Sequence, residues 1–181
     1  RVKRGGFAAF STNYRMSEPQ AAVAAAQLTR LEEIASTRAR LGDRLSRRLA
    51  EIPGVTPHEV RAGDRCVYWF YMFRIDPAAF RVDRAELVKA LRAEGVQASA
   101  GYISVPLYGE PVFQEHGFFA GKWPVREYGL TEMDYTQVRC PEAEATLATG
   151  VRLVLHEAMT ESYIDAAAKA VAKVARHYRR A

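Results

Sequence analysis

A helical periodicity dominates the first third of the chain. The larger apolar residues recur mostly at three- and four-residue steps, the spacing of an amphipathic helix, and they are Leu28, Leu31, Ile34, Leu41, Leu45, Leu49 and Ile52. The pattern ends at Pro53-Gly54, a pair that stops helices. It predicts one long helix over residues 17–52.

The start of this helix is marked by its polar residues. Ser17 and Gln20 have the spacing of a capping box, and Pro19 suits the first turn because its missing N–H is not needed there. Residues 21–26 are small on every side, which predicts that this half of the helix is buried against another backbone. A helix of this length is suited to joining two domains, with a boundary near residue 50.

Beyond residue 53 short apolar runs alternate with helical patterns. Residues 66–75 are rich in aromatic and branched side chains and predict a central strand, and Asp83 with Glu86 has the spacing of a second capping box. The predicted order is strand 66–75, helix 84–95, strand 96–100, helix 141–150, strand 151–155 and a final helix capped by Thr160 that ends near Tyr178. This order predicts an α+β fold with helices packed on one face of a sheet.

Regular periodicity is lost between residues 101 and 140. This stretch is long for a loop in a compact domain, and its aromatic content, including Tyr102 and Tyr108, argues against disorder. Two interpretations stay open. The segment is either a lid whose rings and hydroxyls line a substrate pocket or a packed Ω-like loop.

Composition excludes several classes of protein. The 181 residues are 49% hydrophobic, and no run approaches the ~20 apolar residues that span a bilayer. The two cysteines, Cys66 and Cys140, are isolated and predict neither a disulfide framework nor a metal site. The basic start leads into no long apolar segment, so we expect no signal peptide and a cytoplasmic protein.

The net charge of +5 raises the question of a polyanionic partner. The arginines of the long helix alternate with acidic residues, a mixture typical of a solvated face, and no nucleic-acid-binding signature accompanies them. We therefore expect neither nucleic acid nor a membrane as partner. An anionic small molecule remains compatible with the charge.

Few residues carry recognisable chemistry. The four histidines are scattered, and His156, at the end of a predicted strand, is the best placed for a functional role, with a structural role as the alternative. Asn13 and Arg15 flank the start of the long helix, where their donors suit an anion such as a phosphate. They are otherwise a turn residue and a solvated charge. No self-contained active site is visible.

The run Asn13-Tyr14-Arg15-Met16-Ser17-Glu18, followed by Gln20-Ala21-Ala22, resembles the signature of the DegT/DnrJ/StrS aminotransferases. Weaker similarity continues through residues 71–76, 84–95 and 157–161. The resemblance implies a pyridoxal-phosphate enzyme of aspartate-aminotransferase fold, or fold type I, that acts on keto-sugars or keto-cyclitols. The chain would then comprise the end of the large cofactor domain (1–16), a long interdomain helix (17–52) and a small C-terminal α+β domain (53–181). That small domain would have a short, mainly antiparallel sheet with helices on one face and the substrate loop 101–140.

The same resemblance implies which part of the enzyme carries the catalytic residues. The family's cofactor-binding lysine lies well upstream of the motif, whereas only residues 1–12 precede it here, and Lys3 is too close to match. We therefore expect a C-terminal segment with no catalytic residue and no metal of its own. Asn13 matches the asparagine that reaches across a homodimer to the phosphate of the partner's cofactor, and Arg15 orders the turn or helps to bind an anionic substrate.

The substrate loop departs from the commoner family pattern. Residues 100–108 stand where many relatives carry a histidine-containing segment, which favours a keto-cyclitol or an unusual keto-sugar over the usual nucleotide-sugar substrate. Tyr102, Tyr108 and His156 are the candidate substrate contacts, and glutamate or glutamine is the expected amino donor. The alternatives are a dehydratase of the same superfamily, with histidine in place of the upstream lysine, and a non-catalytic interaction module.

Overall fold

The computed structural model describes residues 15–117 and 124–180. Their helices are α1 (Glu18–Leu28), α2 (Leu31–Leu49), α3 (Arg84–Ala93), α4 (Pro111–Gln114), α5 (Pro124–Glu127), α6 (Pro141–Thr149) and α7 (Glu161–Tyr178). The strands are β1 (Val55–Thr56), β2 (Tyr71–Ile75), β3 (Ala98–Ser99) and β4 (Gly150–Leu153). These residues divide into a sheet unit, 17–102 with 148–180, and a loop unit, 15–16 with 103–147.

The strands of the sheet unit form one antiparallel sheet in the order β1-β2-β4-β3. Exposure alternates along β2: Tyr71, Phe73 and Ile75 are buried, whereas Met72 and Arg74 are half-buried. Side chains alternate between the two faces of a strand, so one face belongs to the core and the other carries polar groups. The predicted α+β fold with a short antiparallel sheet is confirmed.

Helices α2, α3 and α7 supply the rest of this core. Their buried residues share one continuous apolar cluster with the sheet, and they include Leu41, Leu45, Leu49, Leu87, Leu91, Ile164, Val171 and Val174. Two predicted caps are in place: Asp83 accepts a hydrogen bond from the Glu86 N–H at 2.8 Å, and Thr160 accepts one from the Tyr163 N–H at 3.2 Å. The apolar periodicity of α2 and the caps of α3 and α7 were therefore predicted correctly from the sequence.

The predicted long helix over 17–52 is interrupted. The Thr29 hydroxyl donates to the carbonyl of Ala26 at 2.8 Å, and the Arg30 N–H donates to Gln27 O at 3.0 Å. Both bonds span three residues and tighten the chain into a turn, after which α2 begins at Leu31. The structure thus has two helices where the periodicity predicted one.

Helix α1 has no buried residue among the described residues, so its expected burial against another backbone has no partner there and stays a prediction. Leu28, at the end of α1, is 65% exposed. Helix α2 behaves differently, since its leucines join the same core as β2 and α7. Leu49 and Ile52, on either side of residue 50, belong to one core, and the predicted domain division stays a prediction.

Two strand predictions also need correction. Residues 66–70 do not extend β2, because Tyr68 adopts a positive φ of 44° and turns its ring into the core. Its hydroxyl donates to the Asp43 carboxylate at 2.9 Å, and its ring stacks on Tyr71 with centroids 5.6 Å apart. The edge strand β1, which was not predicted, follows Gly54, whose φ of 80° is one that glycine adopts readily.

Candidate functional site

Arg15 lies at the beginning of the described chain, two residues before the helix cap. It is exposed, and Asn13 lies outside the described residues. The helix start behind it is formed as predicted: the Ser17 N–H donates to Gln20 Oε1 at 2.9 Å, and Pro19 is in the first turn. The cofactor-contacting role of Asn13 stays a prediction.

Tyr102 belongs to an exposed aromatic cluster in the sheet unit. Its ring centroid is 5.5 Å from that of Trp69 and 5.1 Å from that of Phe70. Trp69 is 69% exposed, so this cluster presents a large apolar ring to its surroundings. Rings arranged in this way can stack against the apolar face of a cyclic ligand.

Arg152 adds a positive charge to the same cluster. Its guanidinium carbon lies 5.8 Å from the ring centroids of both Phe70 and Tyr102, a cation–π distance. Its Nε donates to the Ser99 hydroxyl at 3.0 Å across the β3–β4 register. The side chain is therefore oriented on the polar face of the sheet, and the sequence interpretation had not singled it out.

Tyr108 lies in the loop unit and uses its hydroxyl internally. The hydroxyl donates to the Glu144 carboxylate and accepts from the Cys140 N–H at 3.2 Å, just before α6. The hydrogen bond between the two side chains raises the pKa of Tyr108 and lowers the pKa of Glu144. In this arrangement Tyr108 secures the beginning of α6, and its substrate role stays a prediction.

Other contacts show how the loop unit is packed. The Gln114 side chain donates to the carbonyls of Tyr108 and Tyr135, and the rings of Phe113 and Tyr135 lie 5.0 Å apart beside the buried Val112. These contacts favour the packed-loop interpretation for residues 103–117 and 124–140. Residues 118–123 lie outside the described chain.

His156 follows the strand β4 and is half-buried. The segment around it is held by Arg38 of α2, which donates to the Leu155 carbonyl at 2.9 Å and to the Trp69 carbonyl at 3.2 Å. The Arg38 Nε lies 3.6 Å from the Glu157 carboxylate. Arg38 thus joins the backbone of the aromatic cluster to the backbone beside His156.

The sequence interpretation missed this link because it assigned the arginines of the long helix to a solvated face. Arg38 instead stands three and seven residues before Leu41 and Leu45, on the apolar stripe of α2. Arg44 is likewise engaged, donating to Asp165 of α7 at 2.9 and 2.7 Å, which lowers the pKa of Asp165 to about 2. Position on the stripe was the signal that could have identified Arg38.

The described residues do not form a pyridoxal-phosphate site on their own. Their lysines are Lys89, Lys169 and Lys173, all exposed on helices, and two of them are paired with Glu86 and Glu94. None offers the buried amine that holds such a cofactor covalently. Within these residues, no group of three or more histidine, cysteine or acidic side chains is placed to hold a metal ion.

The predicted site residues are thus divided between the two units. Tyr102 and His156 belong to the sheet unit, and Arg15 and Tyr108 belong to the loop unit. Within the sheet unit, Arg38 donates to the Trp69 carbonyl, in the aromatic cluster, and to the Leu155 carbonyl, next to His156. What the structure assembles there is an aromatic and cationic surface rather than a catalytic constellation.

Comparison with known proteins identifies the family. The sequence model of the DegT/DnrJ/EryC1/StrS aminotransferase family matches residues 2–172. The chain belongs to this family. Its members are pyridoxal-phosphate-dependent aminotransferases, so the resemblance seen in the sequence is confirmed.

Two curated relatives are similar to this chain over most of its length. A proposed L-glutamine:3-amino-2,3-dideoxy-scyllo-inosose aminotransferase of Micromonospora echinospora is 32% identical over 75% of this chain and 32% of its own length. GDP-perosamine synthase of Caulobacter vibrioides is 28% identical over 90% of this chain and 38% of its own length.

A solved structure supports the same assignment. The crystal structure of 3-amino-5-hydroxybenzoic acid synthase is 29% identical and superposes with a TM-score of 0.69 over 91% of this chain and 40% of that protein. The chain therefore spans between about a third and two fifths of the length of the relatives it matches. Among the described helices, none is long and apolar enough to cross a membrane.

Proposed function

We propose that this chain is the C-terminal portion of a pyridoxal-phosphate-dependent aminotransferase that converts the ketone of a sugar or cyclitol into an amine. An amino acid, glutamate or glutamine, donates the nitrogen. The observation that carries the proposal is the family match over residues 2–172, to which the antiparallel sheet and its helices correspond in fold. The catalytic lysine is expected from a part of the enzyme outside this sequence.

In this proposal the chain positions reactants rather than reacting itself. Asn13 donates a hydrogen bond to the phosphate of the cofactor bound by the partner subunit of a homodimer, and Arg15 orders the turn or contacts an anionic substrate. An amide donor satisfies a phosphate oxygen without adding charge, and the beginning of α1 adds favourable partial charge.

The keto substrate is proposed to contact the aromatic cluster through Tyr102. The neighbouring Trp69 ring provides an apolar face, which suits a cyclic polyol whose ring has apolar faces and polar edges. Named relatives include both an aminocyclitol enzyme and a nucleotide-sugar enzyme, so both kinds of ring remain within the proposed substrate class.

Separate half-reactions test the substrate role. The cofactor spectrum of the complete enzyme is followed first with the amino donor and then with the keto acceptor, in the parent and in Tyr102→Phe. We expect a loss of about 1–3 kcal/mol in transition-state stabilisation confined to the acceptor half, because a buried substrate hydroxyl is left unpaired. Tyr163→Phe, on α7, is the matched control. Equal losses in both halves would remove Tyr102 from the substrate site.

Mixed dimers test the proposed sharing of the cofactor site. A subunit with Asn13→Ala is combined with a subunit that lacks the upstream lysine. If Asn13 acts across the interface, the mixed dimer has one working site, because the lysine of the first subunit is completed by Asn13 of the second. If Asn13 acts in its own subunit, both sites of the mixed dimer are defective. Activity that follows the latter expectation at every ratio would contradict the shared site.

A further inference from the structure

The sheet unit has a groove, the α2–α7 groove, between the end of α2 and the last turns of α7. It consists of two adjoining hollows of about 320 and 160 Å³, and Glu51, Ile52 and Ala172 line both of them. Among its described lining residues, none belongs to the aromatic cluster around Tyr102. The groove is therefore separate from the surface proposed to contact the keto substrate.

The groove forms because α7 continues past the end of α2. The two helices lie side by side where Arg44 of α2 pairs with Asp165 of α7 at 2.7 Å. Helix α2 ends at Leu49, whereas α7 runs on to Tyr178. The later turns of α7 therefore border an open groove.

The rim of the groove carries cations without partners. Lys169, Arg176 and Arg179 are exposed lining residues, and none of the three forms an ion pair or a side-chain hydrogen bond with another described residue. Arg48 also lines the groove, but it is paired with Asp165 at 3.3 Å. The rim therefore has positive charge that is available to a negatively charged partner.

The helix dipole accounts for only part of this charge. Cations in the last turn of a helix interact favourably with its free carbonyls, which is the position of Arg176. Lys169 precedes that turn, so the dipole gives no reason for an unpaired cation there. Lys169 and Arg176 are seven residues apart, which places them on one side of α7 at a distance of two turns, or about 10 Å.

The floor of the groove is apolar and made of small residues. Ala168, Ala172 and Ala175 line it at four- and three-residue steps, and Ile52 borders them. Small side chains allow the axis of a second helix to approach closely. From Ala168 to Tyr178 the helix rises about 15 Å, so the groove can hold a helix of about three turns.

Two features favour a protein helix over a nucleic acid or a membrane. The exposed carboxylate of Glu51 lines both hollows and would repel closely spaced phosphates. Ile52 is 8% exposed, and the other apolar lining residues that the structure describes are a proline and alanines, so no large apolar side chain projects from the groove to enter a bilayer. A protein helix can avoid Glu51 through the placement of its few acids.

From these contacts we propose that the α2–α7 groove binds an acidic amphipathic helix of a partner protein. The apolar face of that helix lies on the alanines of the floor, and its carboxylates pair with Lys169 and Arg176. Acids seven residues apart in the partner have the spacing of these two cations. This interaction goes beyond the proposed amine transfer and does not require that reaction.

Fluorescence anisotropy of a labelled synthetic peptide, titrated with the complete enzyme, tests the proposal. The peptide has leucines at three- and four-residue steps and glutamates seven residues apart beside them, so that it forms an acidic amphipathic helix. We expect saturable binding that weakens as salt is added. A peptide of the same composition in scrambled order should bind at least about tenfold more weakly, because its leucines no longer share one face.

Substitutions on the rim test the charge pairing. Lys169→Met and Arg176→Met keep an apolar stem but lose the charge, and each should weaken the acidic peptide by about two- to fivefold, as expected for an exposed ion pair. Glu51→Gln removes a like charge from the wall and should tighten binding. Arg61→Met, at an exposed arginine outside the groove, is the matched control and should keep the parent affinity.

Three results would overturn the proposal in an enzyme that is folded by circular dichroism. They are the absence of saturable binding of the acidic peptide, equal affinity for the scrambled peptide, and equal losses in Arg176→Met and Arg61→Met. Tighter binding of phosphatidylserine-containing vesicles or of a DNA duplex than of the peptide, with the same dependence on Arg176, would assign the surface to another class of partner and would also contradict it.

The proposed function is tested separately from this surface. None of these variants alters a residue proposed to contact the cofactor or the keto substrate, so amine transfer should be unchanged in all of them. An inactive parent enzyme that still binds the acidic peptide would count against the aminotransferase assignment alone. An active enzyme that fails to bind the peptide would count against the groove alone.

Discussion

The sheet unit and the loop unit are stabilised in different ways. In the sheet unit, the apolar stripes of α2, α3 and α7 cover one face of an antiparallel sheet and form a continuous core. In the loop unit, Val112 is the buried residue of a small cluster with Phe113 and Tyr135. The same unit contains hydrogen bonds from Gln114 to the carbonyls of Tyr108 and Tyr135 and from Tyr108 to Glu144. Helices with a regular apolar repeat pack into a core, whereas the segment without such a repeat is stabilised by individual hydrogen bonds.

The largest expected effect comes from the α2 stripe. Leu45 is 2% exposed, so Leu45→Ala removes packed apolar atoms and should lower the free energy of unfolding by about 2–5 kcal/mol. Leu28→Ala on the exposed α1 is the control and should change stability by about 0.5 kcal/mol or less. Urea unfolding measures both. Similar losses at the two positions would contradict the contrast between α1 and α2.

A smaller loss is expected where α2 approaches Tyr68. A Cβ at Gly42 would lie 2.3 Å from the Tyr68 ring, so Gly42→Ala should overpack the core and cost about 1–3 kcal/mol. Gly117→Ala in the loop unit meets its nearest neighbour at 3.7 Å and should be tolerated. An unchanged urea midpoint in Gly42→Ala would show that Tyr68 does not pack against α2 as described.

Val112→Ala tests the loop unit directly. Because Val112 is 4% exposed in a small cluster, we expect a cost of about 1–2 kcal/mol that is local rather than global. Hydrogen exchange should accelerate in the amides of residues 107–117 while those of β2 and β4 keep their protection. Equal acceleration in both units would mean that they unfold as one.

The smallest effect concerns pH. The Arg44 hydrogen bonds lower the pKa of Asp165 to about 2, below the ordinary aspartate value of about 3.9. A carboxyl whose pKa is lowered by folding stabilises the protein above its unfolded pKa, and this contribution is lost as the pH falls through about 2. Asp165→Asn should therefore be less stable than the parent near neutral pH and converge with it as the pH falls towards 2.

Asp64→Asn, at an exposed carboxyl elsewhere in the sheet unit, is the control for this series. Urea midpoints collected across the acidic range provide the comparison. A gap between the parent and Asp165→Asn that stays constant with pH would contradict the assigned role of the Arg44 contact.

Much of the sheet unit could be predicted because its signals are local. The stripe of α2, the Asp83 and Thr160 caps and the branched run of β2 each act within a few residues, and the structure realises them. The break at Thr29 was missed because one side-chain hydrogen bond outweighed a continuous periodicity. The turn at Tyr68 was missed because it depends on Asp43, which is distant in sequence.

The candidate site was harder to predict, because its contacts join residues that are distant in sequence. Tyr102 was chosen for its chemistry, but its neighbours Trp69 and Arg152 are brought to it by the sheet register and the turn before β2. The sequence predicted a solvated charge at Arg38, whereas in the structure its guanidinium donates to two backbone carbonyls. Tyr108 had the right chemistry, but its hydroxyl is engaged by Glu144.

Transfer of labelled nitrogen tests the proposed function most directly. The complete enzyme is incubated with amine-labelled [15N]glutamate or [15N]glutamine and a panel of keto-sugars and keto-cyclitols, and the products are analysed by mass spectrometry. The account predicts that the label appears as an amine on the ring of at least one acceptor. Loss of water from the substrate without incorporation of the label would indicate the dehydratase reaction instead, and would contradict the proposed amine transfer.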